Sequence, residues 1–157
     1  MYVVSTRGSC HVRAHLTEGE PQENWDSMLR DIFSRYEDPA NPLKEEAKGI
    51  LTAWHENLTG FKSSIELCHF SLYPWMDSER SAAKLMVKFY NAFTGLNLDI
   101  DGALRIGERI INIQKAFNVL LGTRREENSW PDRFTKGPMF DGAGKGQTVK
   151  LEPMLDE

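Results

Sequence analysis

The chain has 157 residues, 40% hydrophobic and 27% charged, with 19 Lys and Arg against 23 Asp and Glu for a net charge of −4. That length suffices for one domain with its own core, and the composition excludes a disordered or fibrous chain. The acidic balance argues against a nucleic-acid partner, which needs clustered Lys and Arg. No apolar run approaches the ~20 residues that span a bilayer, and no charged-then-apolar leader opens the chain. The expectation is a single soluble, cytoplasmic domain over 1–157.

Residues 1–24 read as a loop-rich lead-in. Ser5, Thr6, Gly8 and Ser9 suggest a loop that places Arg7, Cys10 and His11, and Gly19 and Pro21 mark a turn. A helical core is expected over 25–121. Trp25, Met28, Leu29, Ile32, Phe33 and Tyr36 recur at i, i+3, i+4, i+7, i+8 and i+11, one apolar stripe of a helix. Asp38-Pro39 and Asn41-Pro42 end it, because a residue before proline is pushed out of the helical region. The spacing predicts a second helix over 43–58, with Ala47, Ile50, Leu51, Trp54 and Leu58 inward and Thr59-Gly60 as its stop.

The stretch 63–72, with Ile65, Leu67, Cys68 and Phe70, is too short to assign, and Pro74 closes it. Ser78 and Glu79 then open a helix whose Ala82, Leu85, Met86, Phe89, Tyr90 and Phe93 face the core, with Gly95 just past its end. The best helix is expected over 101–121. Asp99 or Asp101 caps its free N–H groups, and Leu104, Ile110, Ile111, Ile113, Phe117 and Leu120 give it apolar surface over most of its girth, so it should be central. Gly107 inside it costs about 1 kcal/mol against Ala, and a close helix–helix approach is the expected compensation. Residues 122–157 read as an irregular tail rich in Gly and Pro, with renewed structure hinted at over 149–155. Five helical segments without convincing strands make the fold class all-α.

Chemistry-bearing residues are few. The sequence holds no glycine-rich phosphate loop, HExxH or Gly-x-Ser-x-Gly elbow. His11 and His15 have a ligand spacing only on a helix, and the sequence there is not helical. His55 adjoins Trp54 and reads as a surface or packed residue. His69 follows Cys68, so on a regular element the two point apart. Neither Cys10 nor Cys68 sits in a CxxC, and from residue type alone each is a small buried hydrophobe.

Several stretches together resemble one family. Gly102-Ala103-Leu104-Arg105-Ile106-Gly107-Glu108-Arg109-Ile110-Ile111-Asn112-Ile113-Gln114-Lys115-Ala116-Phe117-Asn118 looks like the long helix near the C-terminus of aldehyde:ferredoxin oxidoreductases, which typically reads G-E-R-I-x-N-x-x-R-x-F-N. Ser129-Trp130-Pro131-Asp132-Arg133-Phe134 resembles the family's L-P-x-R-F loop, with Trp130 where leucine is usual. Gly144 to Leu155 resembles the start of the family's tail, Ser63-Ser64-Ile65-Glu66-Leu67-Cys68-His69-Phe70 resembles its D-S-L-x-L-C-x-F segment, and Ser5-Thr6-Arg7-Gly8-Ser9-Cys10-His11 resembles an R-G-x-x-H element near the metal.

The resemblance implies that Cys68 is the fourth ligand of a [4Fe–4S] cluster and that the backbone of Leu67 touches one pterin of a tungsten (or molybdenum) bis-pterin. It implies that His11 stands near the metal as a proton donor or acceptor; a loop histidine bonded to backbone is the competing reading. Ser63 replaces the aspartate that hydrogen-bonds the pterin, which sets this chain apart from the usual pattern. The other three cluster cysteines belong to an N-terminal cofactor-binding half, so that half, ferredoxin and a small aldehyde are the implied partners. In this chain alone no cofactor is expected. The alternative is a helical interaction module, or a relic domain, that docks on a separate cofactor-bearing subunit.

Overall fold

The computed structural model describes residues 3–10, 12, 30, 31, 34–37, 41, 43–69 and 82–157. Its elements are helices α1 (Lys48–Ser64), α2 (Ala82–Thr94) and α3 (Ile100–Leu120), a 3₁₀ turn (Arg125–Glu127), and short helices α4 (Asp132–Thr135) and α5 (Glu152–Asp156). Among the described residues there is no strand, only a single bridge between Thr6 and Gly8, and the fold is all-α. No helix among them is long and apolar enough to cross a membrane. Of the helix expected over 25–36, Arg30, Asp31, Ser34 and Arg35 are helical, and Tyr36 packs against the core. Its other apolar stripe residues lie outside the described residues, as do Ser78 and Glu79.

α1 departs from the expected 43–58 at both ends. Residues 43–47 form turns, and Ala47 at the helix start has φ 63° and no capping side chain. The cap comes from the far end of the chain instead. The Glu157 carboxylate accepts from the N–H of Ala47 at 2.7 Å and of Gly49 at 2.8 Å, placing an anion where orphan N–H groups and the helix dipole favour one. At the other end the helix runs through Thr59-Gly60 rather than stopping there, because Gly60 is used for a close approach and not as a terminator.

That approach is to Gly107. A Cβ built on Gly107 would lie 1.7 Å from the carbonyl oxygen of Asn57, and one on Gly60 would lie 3.0 Å from the carbonyl oxygen of Gly107. The two helices therefore meet backbone to backbone, closer than side chains at the crossing would allow. Around the crossing, Leu51, Trp54, Leu58 and Phe61 of α1 bury against Ala103 and Leu104 of α3, with Met86 and Val87 of α2 closing the cluster. Phe61 meets Tyr90 edge-on, with ring centroids 5.5 Å apart.

The start of α3 follows the expected chemistry: the Asp99 carboxylate accepts from the N–H of Gly102 at 2.7 Å. Asn91 fixes the link from α2, donating to the Leu98 carbonyl and accepting from the Leu98 N–H, both at 2.8 Å. Burial does not follow expectation. Phe89 and Phe93 are exposed, Phe93 at 96%, because α2 turns Ala83, Met86 and Val87 inward and leaves these two on its flank. In α3, Leu104 and Ile111 are buried, whereas Ile113, Phe117 and Leu120 are exposed. α3 is thus central only along its N-terminal half, the part that α1 crosses.

The tail folds back on α1. The N–H of Val149 donates to the Phe134 carbonyl at 2.9 Å, and that of Lys150 to the Glu45 carboxylate at 2.8 Å. Arg125 pairs with Asp156 at 2.5 Å and Glu152 at 3.3 Å, holding α5, which covers part of the stretch where renewed structure was hinted at. Replacement of Gly107 by Ala is expected to lower unfolding free energy by about 3 kcal/mol, since backbone must move to admit the methyl group. Gly95→Ala, at φ 72° with open space around it, should cost about 1 kcal/mol for left-handed strain alone. Denaturant unfolding of both variants checks the order, and equal losses would contradict the crossing.

Candidate functional site

The end of α1 carries the candidate site. The N–H of Leu67 donates to the Lys62 carbonyl and that of Glu66 to the Ser63 carbonyl, both at 3.2 Å, the paired pattern that closes a helix through a left-handed residue. That residue is Glu66, with φ 59°, where glycine is usual. The conformation costs about 1–2 kcal/mol in a residue with a side chain, so strain is stored at the turn that aims the chain out of the helix. Past it, Leu67 is half-buried against the core, and Cys68 is exposed. The buried-hydrophobe reading of Cys68 is therefore overturned: the helix stops beneath the core, and the thiol emerges beyond it. Ser63 is exposed on the last turn of α1.

Lys62 completes the cluster. It is only 8% exposed, its Nζ contacts Nδ1 of His69, and burial pulls its pKa down to about 8, partly opposed by the nearby Cys68. Cys68 and His69 do not point apart, because the segment that holds them is not a regular element; both lie near one ammonium. Sequence reasoning missed Lys62, although the signal was present. Lys62 falls four residues after Leu58 and next to Phe61, on the apolar stripe of α1, where a lysine is out of place.

The head of the chain sits elsewhere. Thr6 Oγ1 donates to Gln114 Oε1 at 2.7 Å, and Asn118 Nδ2 donates to the Thr6 carbonyl, so Thr6 lies against the C-terminal half of α3. With Gly60 against Gly107 and Lys115 bonded to Glu56 at 2.8 Å, α1 and α3 run antiparallel. That puts Thr6 and Cys68 at opposite ends of the pair. Cys10 is buried, as its residue type suggested, but its sulfur is not merely packed: it accepts from Arg7 Nε at 3.2 Å and Nη2 at 2.9 Å. His11 and His15 lie outside the described residues.

Among the described residues no group of three or more His, Cys, Asp or Glu gathers where a metal would be held. Cys68 offers one soft donor, accessible and fixed by the helix end. That fits one ligand of a thiolate-held iron–sulfur cluster and no more.

A family profile described as "Aldehyde ferredoxin oxidoreductase, domains 2 & 3" matches residues 1–157. Among curated relatives, the tungsten-containing aldehyde ferredoxin oxidoreductase of Pyrococcus horikoshii is 28% identical over 155 residues, covering 98% of this chain and 23% of its own length. Its counterpart in Pyrococcus furiosus is 28% identical over 156 residues with the same coverage, and that of Thermococcus kodakarensis is 27% identical. The chain thus spans about a quarter of the length of these relatives. No solved structure gives a significant match.

The two thiols should separate in a timed alkylation. With iodoacetamide at neutral pH, exposed Cys68 should be modified about tenfold faster than buried Cys10, read by peptide mass spectrometry. Equal rates would contradict the placement of Cys68.

Proposed function

This chain belongs to the aldehyde ferredoxin oxidoreductase family, and we propose that it is the helical portion that completes the cofactor site of a tungsten–pterin, iron–sulfur oxidoreductase. The reaction proposed for the complete enzyme is oxidation of an aldehyde to a carboxylic acid with electron transfer to ferredoxin. The observation that carries this reading is the exposed Cys68 thiol, held at a fixed helix end in a chain that matches the family over its whole length. When bound, the metal–pterin centre supplies the two-electron chemistry and the cluster relays single electrons.

Within that reading the chain's own residues bind and orient. Cys68 gives one thiolate to one iron, with the buried Lys62 beside it. The N–H of Leu67 is engaged by the helix end, so a pterin contact through its backbone uses the carbonyl. Ser63, exposed on the last turn of α1, presents a shorter neutral group where the family has aspartate, which weakens pterin binding at that point. His11 is proposed to hold or release the proton near the metal. The remaining thiolates come from an N-terminal half, and the working compartment is the cytoplasm.

One observation favours the interaction-module reading as a component of the same account. Phe93, Ile113, Phe117 and Leu120 expose large apolar side chains on α2 and α3, a surface that suits docking on the cofactor-bearing half.

The test is anaerobic reconstitution of the chain with the N-terminal half of a related enzyme, followed by EPR of the reduced sample and iron analysis. A reduced [4Fe–4S] signal is expected, falling at least about tenfold in Cys68→Ala. A signal of full intensity in Cys68→Ala, or no association of the two parts, would contradict the proposal.

A further inference from the structure

Cys68 leaves the end of α1 between two neighbours, and both are tied to one residue. On its N-terminal side, the N–H of Leu67 donates to the Lys62 carbonyl at 3.2 Å, and the Leu67 side chain packs against the core. On its C-terminal side, Nδ1 of His69 meets Nζ of Lys62. Consecutive Cα atoms lie about 3.8 Å apart across a trans peptide, so fixing residues 67 and 69 leaves Cys68 little room to shift. Its thiol keeps mainly the rotation about χ1.

The two ties differ in what they ask of the sequence. A backbone carbonyl at position 62 comes with any residue type, because it belongs to the closing pattern of the helix. The bond to His69 needs a long side chain that ends in a polar atom. Lys62 meets that demand at a site where lysine is otherwise rare: it is 8% exposed, next to Phe61 at 1%. Its stem runs within the buried layer of α1 while its Nζ reaches the segment past the turn. The partner is an imidazole and not a carboxylate, so this contact is no ion pair between helices. It joins the last turn of α1 to the residue just beyond the thiol. The turn between them needs such a hold, because Glu66 at φ 59° adopts a conformation that persists only where surrounding contacts over-determine it.

We propose that Lys62 is a positioning residue for Cys68: its carbonyl and its Nζ clamp the residues on either side, so the thiol is presented at one set point. This rests on the reading of Cys68 as a cluster ligand. Where three thiolates come from another part of the enzyme, a fourth already held in place loses little freedom on binding iron. Groups behind a ligand that fix its orientation also tune its affinity.

Amide hydrogen exchange of the full chain, resolved by residue, tests the clamp without any cofactor. Lys62→Met keeps the stem and the carbonyl and removes the donor; His69→Ala removes the other partner. Each should speed exchange at Glu66 and Leu67 about tenfold, the scale of one hydrogen bond to a charged group, while Trp54 to Leu58 stay as they were. The double variant should match either single one, since both break the same contact. Unchanged exchange at Leu67 in either single variant, additive effects, or equal acceleration at Trp54 to Leu58 would overturn the proposal, the last by making Lys62 a core residue only. In the complex reconstituted with the N-terminal half of a related enzyme, Lys62→Met should hold iron but give a reduced EPR signal that is broader and several-fold weaker. A signal of wild-type width and yield there would also overturn it. A full signal in Cys68→Ala would instead overturn the ligand reading on which the proposal rests, whatever the exchange rates.

Discussion

At Gly107 the backbone of α3 touches the backbone of α1, and only a hydrogen in place of a side chain permits it: the nearest atom to a Cβ there would be the Asn57 carbonyl oxygen. The remaining architecture follows from that contact. With Gly60 opposite, the helices are held too close for any side chain between them, so Trp54, Leu58 and Phe61 are displaced to the flanks of the crossing. There they meet Leu104, Met86 and Val87. The cost of a glycine inside a long helix is offset by the burial that the approach allows.

The same crossing divides the molecule into two ends. Because α1 and α3 run antiparallel and meet near residues 57–60 and 107–111, one end presents the strained turn at Glu66 with Cys68 beyond it. The other end opens into a groove, with the Glu56–Lys115 pair on its wall. Glu56 is almost fully buried while Lys115 remains about half exposed, so the pair marks where the packed crossing gives way to solvent. Glu157 ties the last residue of the chain to the first turn of α1, which makes the tail part of the helix cap and not an appendage.

Much of this was legible in the residues, and the failures share one cause. A cap at Asp99 or Asp101, Gly95 past the end of α2, and a close approach at Gly107 all follow from local chemistry, and the structure has the cap at Asp99 with the other two as expected. The ends of α1 were misread because they are decided by distant partners: Glu157 moves the start, and Gly107 carries the helix through Gly60. Phe93 and Leu120 were placed inside by periodicity, which shows that a face is apolar but not that anything covers it. Lys62 was overlooked because a single lysine on an apolar stripe looks like noise until its neighbours Cys68 and His69 are seen beside it. The family resemblance drew attention to Cys68, and the structure adds the strained turn that exposes it. The placement of His11 belongs to residues that the structure does not describe.

Native-state hydrogen exchange of this chain tests the central claim most directly, because it reads which amides open only with global unfolding. If the backbone crossing is the constraint on which the fold rests, the slowest-exchanging amides are those of Trp54 to Phe61 in α1 and Leu104 to Ile111 in α3, and they slow or speed together. If the slowest amides lie instead in α2, or if the α1 and α3 sets exchange with unrelated free energies, the crossing does not hold the fold together.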